Sequence, residues 1–145
     1  MQQQTKVLIV DDMKVNQLVL SCILEDLPAR IDVASSGAAA LALLADNDYA
    51  VILMDIQMPG MTGFECVSAI RKNPDIEHIP VIFVPAMGHD DKFVDQGYHL
   101  GAVDYLLKPV DADMLISKVK VFISLFEQRV KLQESLAEAK AIQHK

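Results

Sequence analysis

The sequence predicts an α/β domain in which a five-stranded parallel sheet is covered by helices on both faces. Three apolar runs without polar alternation indicate strands buried on both sides, namely Val7–Val10, Val51–Met54 and Val81–Val84. Each run is followed by a helical pattern, and a crossover through a single helix makes successive strands parallel. A length of 145 residues, 52% of them apolar, fits one domain with a sizeable core.

The first half of the chain alternates strands with helices. After the first strand, apolar residues recur at spacings of three and four and predict a helix that Pro28 ends. These residues are Val15, Leu18, Val19, Cys22, Ile23 and Leu27. A weaker strand follows at Ile31–Ala34, and an alanine- and leucine-rich helix then runs over about Gly37–Leu44.

The second half continues the alternation with less regular elements. A loop rich in helix breakers, residues 58–63, precedes a helix predicted at Phe64–Arg71. A weakly amphipathic helix is predicted at about residues 90–100, and a short last strand at Val103–Leu107. From Asp111, a suitable N-cap, an extended helical pattern runs almost to the end of the chain.

Charge and cysteine content bear on partners and location. Thirteen basic residues against 20 acidic ones give a net charge of −7, which is unsuited to phosphate backbones and predicts no direct nucleic-acid binding. No apolar run reaches the roughly 18 residues of a membrane span, and the first residues are not a signal peptide. Cys22 and Cys66 lie far apart and are expected to be buried thiols in a reducing compartment. We therefore expect a cytoplasmic protein without a membrane contact.

Charged residues stand at the carboxyl ends of three predicted strands. Asp11 and Asp12 follow the first strand, Asp55 follows the third, and Lys108 follows the fifth. Ligands of such sheets bind at this edge, so we expect these side chains to converge. Clustered carboxylates repel one another without a cation, and oxygen ligands suit Mg²⁺ or Mn²⁺. With Mg²⁺ and the Lys108 ammonium beside it, the Asp55 carboxylate would be equipped to attack phosphorus, because both cations neutralise charge that develops on the phosphoryl oxygens.

Three motifs, taken in order, resemble the receiver domain of response regulators, the phosphoacceptor family of two-component systems. They read VLIVDD at residues 7–12, LMDIQMPGMTG at 53–63 and YLLKP at 105–109. The resemblance covers about residues 5–126 and implies a flavodoxin-like sheet with the strand order 2-1-3-4-5. It divides the chain into a receiver domain at residues 1–126 and a C-terminal helical extension or linker at 127–145.

The resemblance also implies a role for each charged residue. Asp55 would be the phosphoacceptor, taking a phosphoryl group from a sensor histidine kinase or a phosphotransfer protein. Asp11, Asp12 and Asp55, with the backbone carbonyl of Gln57, would bind Mg²⁺ or Mn²⁺. Lys108 would pair with a phosphoryl oxygen. The chain would thus be a signalling domain rather than an enzyme, with any kinase or cyclase activity in a separate output module.

One position departs from the family pattern. Receivers usually end the fourth strand in Thr or Ser, whose hydroxyl couples the phosphoryl group to an aromatic switch residue, here Tyr105. This chain has Pro85 instead, which offers neither a hydroxyl nor a backbone N–H. Two interpretations stay open: a receiver that relays its signal through the face of strand four, helix four and strand five, or a pseudo-receiver used for docking with impaired switching. Pro109 is expected to follow a cis peptide bond that directs Lys108 into the site.

A phosphatase of the haloacid dehalogenase type is a further alternative with an aspartate nucleophile. It would need a second aspartate two residues after the nucleophile, where Gln57 stands. That interpretation is therefore rejected.

The C-terminal helical pattern carries an apolar seam. Its residues are Phe122, Leu125, Arg129, Leu132, Leu136 and Ala139. One interpretation is a solvated, fraying tail. The other is a helix that pairs in a homodimer, although Arg129 at a core position weakens it.

Overall fold

A computed structural model of the chain describes residues 4–85, 99–101 and 104–143. Within these residues five parallel strands form one sheet in the order β2-β1-β3-β4-β5, which confirms the predicted topology. The strands are β1 Lys6–Val10, β2 Arg30–Ala34, β3 Val51–Met54, β4 Val81–Phe83 and β5 Asp104–Tyr105. The helices are α1 Lys14–Leu24, α2 Gly37–Asp46, α3 Gly63–Arg71 and the C-terminal helix Ala112–Gln143. The helix predicted at about 90–100 falls mostly on residues 86–98, which lie outside the described residues.

The two faces of the sheet carry separate hydrophobic cores. Alternate strand residues such as Leu8, Ile52 and Phe83 pack with α2 and α3, whereas Ile9 and Leu53 pack with α1 and the C-terminal helix. The side chains of β3 are buried on both faces, as the uninterrupted apolar run predicted. The central strands therefore hold their carboxyl ends in fixed positions.

Side-chain caps start three of the helices. The hydroxyl of Ser36 accepts the Ala39 N–H at the start of α2, and Thr62 forms a reciprocal capping box at the start of α3. The Asp111 carboxylate accepts the Met114 N–H at 3.0 Å, which confirms the predicted N-cap of the C-terminal helix.

The apolar face predicted for α1 is partly wrong. Leu20 and Leu24 are buried, and Ile23 and Leu27 pack beside them. Four other apolar residues, which we call the α1 patch, are exposed: Val15, Leu18, Val19 and Cys22. Since α1 has more apolar residues than one face can hold, spacing alone could not select the buried set. The predicted burial is thus wrong for Cys22 and confirmed for Cys66.

The C-terminal helix packs on the sheet through its first half only. Leu115, Val119, Ile123 and Phe126 are buried, whereas the described side chains after Val130 are all exposed. None of the described helices combines the length and apolar character that a membrane crossing requires.

The apolar seam predicted along this helix needs correction. Phe122 packs against the core, and Arg129 forms an ion pair with Asp48. Leu125, Leu132, Leu136 and Ala139 are exposed, so these four members of the seam remain available to a partner.

Candidate functional site

Three strands place the predicted site residues at one edge of the sheet. β1 and β3 are neighbours, with Val10 opposite Met54, so Asp11 and Asp55 emerge side by side. The Asp55 N–H donates to the Val10 carbonyl at 2.9 Å, which continues the ladder to the first residue of the site. The position of the two carboxylates is therefore set by the central backbone of the sheet.

The predicted convergence of charges is present. One carboxylate oxygen from each of Asp11, Asp12 and Asp55 lies within 4.8 Å of the others. The Lys108 Nζ lies 3.1 Å from the Asp11 Oδ2 and 3.5 Å from the Asp55 Oδ1. The ammonium group offsets part of the negative charge of the cluster, and the two aspartates it contacts are both buried.

Asp11 is the most constrained of the three carboxylates. It is 1% exposed, and its Oδ1 accepts the Met13 N–H at 2.9 Å. Gln17 was not singled out from the sequence, yet its Nε2 donates to the Asp11 carbonyl at 2.6 Å and to the Ser35 Oγ at 3.1 Å. Asp11 therefore shapes the loop after β1 in addition to supplying charge.

Asp55 lies in a different electrostatic setting. Burial is the main cause that raises the pKa of its carboxyl group, and the charge of Asp11 raises it further, with a smaller contribution from Asp12. The Lys108 ammonium and the Ile56 N–H, which donates to Oδ1 at 2.9 Å, lower the pKa again. The Lys108 ammonium and the Ile56 N–H both contact the Asp55 Oδ1. The Asp55 Oδ2 accepts no hydrogen bond from the described residues.

An open cleft of about 340 Å³ lies over these groups. Its lining consists of Asp12, Met13, Asn16, Asp55, Ile56, Gln57 and Lys108. Asp12 and Gln57 are exposed to this cleft, whereas Asp11 is not part of its lining. Carboxylate and carbonyl oxygens are the ligands that Mg²⁺ and Mn²⁺ prefer, so the donor set fits a hard divalent cation.

The loop after Asp55 depends on Gly63, for which the sequence pattern predicts no role. A Cβ atom on Gly63 would lie 2.1 Å from the Asp55 carbonyl oxygen, so no larger residue fits the present backbone. The Gly63 N–H donates to the Ile56 carbonyl at 2.8 Å and closes the loop. The sequence signal was the Thr62–Glu65 capping box, which marks where α3 begins but not what its first residue touches.

Tyr105 and Pro85 are the two residues that the resemblance assigns to a switch. The Tyr105 ring lies 5.5 Å from the Phe83 ring, and Pro85 is buried at the end of β4. The Pro85 carbonyl accepts the Lys108 N–H at 3.1 Å. The Lys108–Pro109 peptide bond is cis, as the resemblance implied. Pro85 thus contacts the backbone of Lys108 through its carbonyl oxygen, although it has no hydroxyl to offer.

Known proteins match most of the chain. A family model of the response regulator receiver domain matches residues 7–120. Protein PilH of Pseudomonas aeruginosa is 34% identical over 119 residues, which cover 82% of this chain and 98% of PilH. The crystal structure of the chemotaxis protein CheY4 of Vibrio cholerae superposes with a TM-score of 0.75 at 29% identity, covering 82% of this chain and 98% of that one.

Longer proteins match over the same region. A probable cyclic di-GMP phosphodiesterase of Vibrio cholerae is 42% identical over 116 residues, which cover 80% of this chain. The match covers 26% of that relative, so the chain spans about a quarter of its length.

Proposed function

Because the chain belongs to the response regulator receiver domain family, we propose that it accepts a phosphoryl group on Asp55 from a histidine donor of a two-component system. The observation that carries this proposal is the position of Asp55 in the cleft, 3.5 Å from the Lys108 ammonium and beside two further carboxylates. Incubation with acetyl phosphate and Mg²⁺, followed by intact mass measurement, tests it. A gain of one phosphoryl group is expected, and no gain would favour a docking module.

The chemistry follows from the Asp55 Oδ2, which accepts no hydrogen bond from the described residues. That oxygen forms a bond to phosphorus while the phosphorus–nitrogen bond of the donor phosphohistidine breaks, and the imidazole leaves with the electron pair. Lys108 would stabilise the negative charge on an oxygen of the transferred phosphoryl group, because its ammonium already lies next to the Asp55 carboxylate. The chain itself is the acceptor, so the reaction is a signalling event and not turnover of a substrate.

The carboxylates of Asp11, Asp12 and Asp55, which lie within 4.8 Å of one another, and the Gln57 carbonyl are the groups that would hold Mg²⁺ or Mn²⁺. Asp12, Asp55 and Gln57 line the cleft, whereas Asp11 is engaged by backbone and side-chain donors beneath it. When bound, the cation supplies positive charge for the phosphoryl oxygens. Asp11 contributes charge and fixes the loop that presents Asp12.

Asp12→Ala is expected to weaken Mg²⁺ binding while leaving the fold intact. Asp12 is exposed, and its charge raises the pKa of Asp55. Its removal relieves repulsion, so the melting temperature without Mg²⁺ should rise by about 1–3 °C, and the gain on adding Mg²⁺ should shrink. Thermal melts with and without Mg²⁺ measure both effects. Asp26→Ala, an exposed aspartate outside the cluster, is the control; a fall in stability specific to Asp12→Ala would show a structural role.

The α1 patch supports a protein donor. Val15, Leu18, Val19 and Cys22 are exposed on a helix that begins three residues after Asp11, immediately beside the cleft. An apolar surface next to a reactive carboxylate suits a partner that must bring its histidine to Asp55. We therefore place the histidine kinase or phosphotransfer protein on this side of the domain, and the complex in the cytoplasm.

We further propose that the exposed part of the C-terminal helix pairs with a second copy of the chain. Short helices are marginally stable in water unless an apolar face is covered, and Leu132 and Leu136 are 62% and 55% exposed.

Truncation after Val130 should convert a dimer into a monomer in light scattering at micromolar concentration. Leu132→Glu with Leu136→Glu should do the same, whereas Ala137→Glu with Ala141→Glu, two charges on another side of the helix, should leave the dimer intact. A monomeric full chain at high micromolar concentration would support the solvated-tail interpretation instead.

The pseudo-receiver is the second candidate, and Pro85 favours it. A hydrogen bond to a charged group contributes roughly 1.5–3 kcal/mol, so a missing switch hydroxyl lowers the bias toward the active state by about one to two powers of ten. Tyr105 packs against Phe83 and stays half-buried in the present state. Phosphorylation would then load Asp55 without fully repositioning Tyr105.

Pro85→Thr is expected to enlarge the response to beryllofluoride and Mg²⁺. The new hydroxyl can bind the phosphoryl analogue, and the backbone carbonyl that accepts the Lys108 N–H is retained. Amide chemical shifts of residues 81–84 and 104–108 measure the response in both proteins. A full shift in the natural chain, equal to that of the threonine variant, would show that another donor replaces the hydroxyl.

A further inference from the structure

The edge of the sheet opposite the cleft carries a second group of charges. Asp48 lies in the loop between α2 and β3, and its side chain is 28% exposed; that of Arg129, on the C-terminal helix, is 34% exposed. The Arg129 Nη2 donates to the Asp48 Oδ2 at 2.5 Å. Because both groups are partly buried, solvent and salt screen this pair less than an ion pair on the open surface.

A third segment meets the same carboxylate. The His78 Nε2, in the loop between α3 and β4, lies 3.4 Å from the Asp48 Oδ1, and that oxygen also accepts the Tyr49 N–H at 2.9 Å. The guanidinium carbon of Arg129 lies 4.9 Å from the centre of the Phe126 ring. One carboxylate therefore joins two loops and one turn of the C-terminal helix.

These contacts extend the attachment of the helix beyond its last buried apolar side chain. Phe126 is buried, Arg129 and Val130 are half-buried, and the side chains of residues 131–142 are exposed. Without the contact to Asp48, the turn after Phe126 would depend mainly on hydrogen bonds within the helix. Helix ends held in that way open readily.

We propose that Asp48 and Arg129 form a latch that fixes the direction in which the residues after Val130 leave the domain. With the latch closed, the helix continues rigidly from the body of the domain. With the latch open, the turn at 127–130 and everything after it move independently. The latch lies at the opposite edge of the sheet from Asp55, so it does not depend on the phosphoacceptor function proposed above.

Amide hydrogen exchange in the full chain tests the latch. In Arg129→Gln, the amides of residues 131–136 are expected to exchange about three- to tenfold faster. Asp48→Asn should produce the same acceleration, and the double variant should add nothing further, because either change opens the same pair. Lys131→Gln and Asp46→Asn, which remove equal charges from neighbouring exposed positions, should leave exchange unchanged. All variants are compared under conditions where light scattering gives one oligomeric state.

Two outcomes would overturn the latch. One is unchanged exchange in Arg129→Gln, and the other is an additive acceleration in the double variant, since independent effects would not reflect one contact. Labelling by acetyl phosphate in the same variants separates the latch from the proposed function. Normal labelling with accelerated exchange supports a separate device, whereas loss of labelling in both single variants would assign the contact to the site and overturn it.

Discussion

Asp55→Asn is expected to abolish labelling by acetyl phosphate completely. An amide is a poor nucleophile, and it removes one anionic ligand from the oxygen cluster that fits Mg²⁺. The Lys108 ammonium would keep its contact with Asp11, so the cleft should retain its shape. Intact mass after incubation with acetyl phosphate and Mg²⁺ measures the loss. The matched control is Asp26→Asn, which should label like the natural chain; full labelling of Asp55→Asn would refute the assignment.

The same variant should be more stable than the natural chain when Mg²⁺ is absent. Burial and the charge of Asp11 raise the pKa of Asp55 in the folded state. The pKa of this carboxyl group is about 3.9 in the unfolded chain and higher in the folded domain. The free energy of unfolding therefore falls as the pH rises from the unfolded pKa through the folded pKa. The advantage of Asp55→Asn should therefore be present at neutral pH and vanish below about pH 3, where the carboxyl group is protonated in both states. Thermal melts as a function of pH measure this.

Gly63→Ala is expected to destabilise the domain by about 2–3 kcal/mol and to slow labelling of Asp55. Alanine at the start of a helix is normally favourable, but here its Cβ would meet the Asp55 carbonyl oxygen at 2.1 Å. Relief requires the backbone of the loop after β3 to move, and that loop positions Asp55, the proposed phosphoacceptor. Denaturant unfolding gives the loss of stability, and timed mass spectra give the rate of labelling.

Gly37→Ala is the matched control, because Gly37 occupies the corresponding first position of α2 after the Ser36 cap. Its Cβ would lie 2.6 Å from the Met61 Sδ, which can rotate away, and 3.1 Å from the Met61 Cβ, which has to give by only a few tenths of an ångström. This variant should be within about 1 kcal/mol of the natural chain. Equal losses in the two alanine variants would show that helix propensity, and not the contact with the Asp55 carbonyl, determines the result.

The sequence predicts an element of this structure well where a local pattern, such as an uninterrupted apolar run, is enough to determine it. β3 is apolar on both faces, and its four residues match the prediction. β5 was predicted at Val103–Leu107, yet only Asp104 and Tyr105 form the strand among the described residues, because pairing with β4 sets its length. The three carboxylates were found because parallel strands deliver their last residues to one edge.

What the sequence could not predict depends on contacts between distant segments. The contact of Gly63 with the Asp55 carbonyl and the ion pair of Arg129 with Asp48 follow from packing, and no spacing rule contains them. Arg129 was interpreted as a weak position in a helix seam because its partner lies 81 residues earlier in the chain. The predicted apolar face of α1 is partly wrong for a related reason, since only packing against the sheet determines which apolar residues are covered.

With the proposed latch closed, the C-terminal helix would act as a lever arm. Its residues 131–143 rise by about 20 Å along the helix axis. A rotation of about 10° at the turn that holds Arg129 would therefore carry the far end of the helix sideways by about 3 Å. A displacement of that size is comparable to the rise of two residues, enough to take a leucine out of register with a neighbouring helix. Small movements at the edge of the sheet that holds Asp48 would thus be amplified at the far end of this helix.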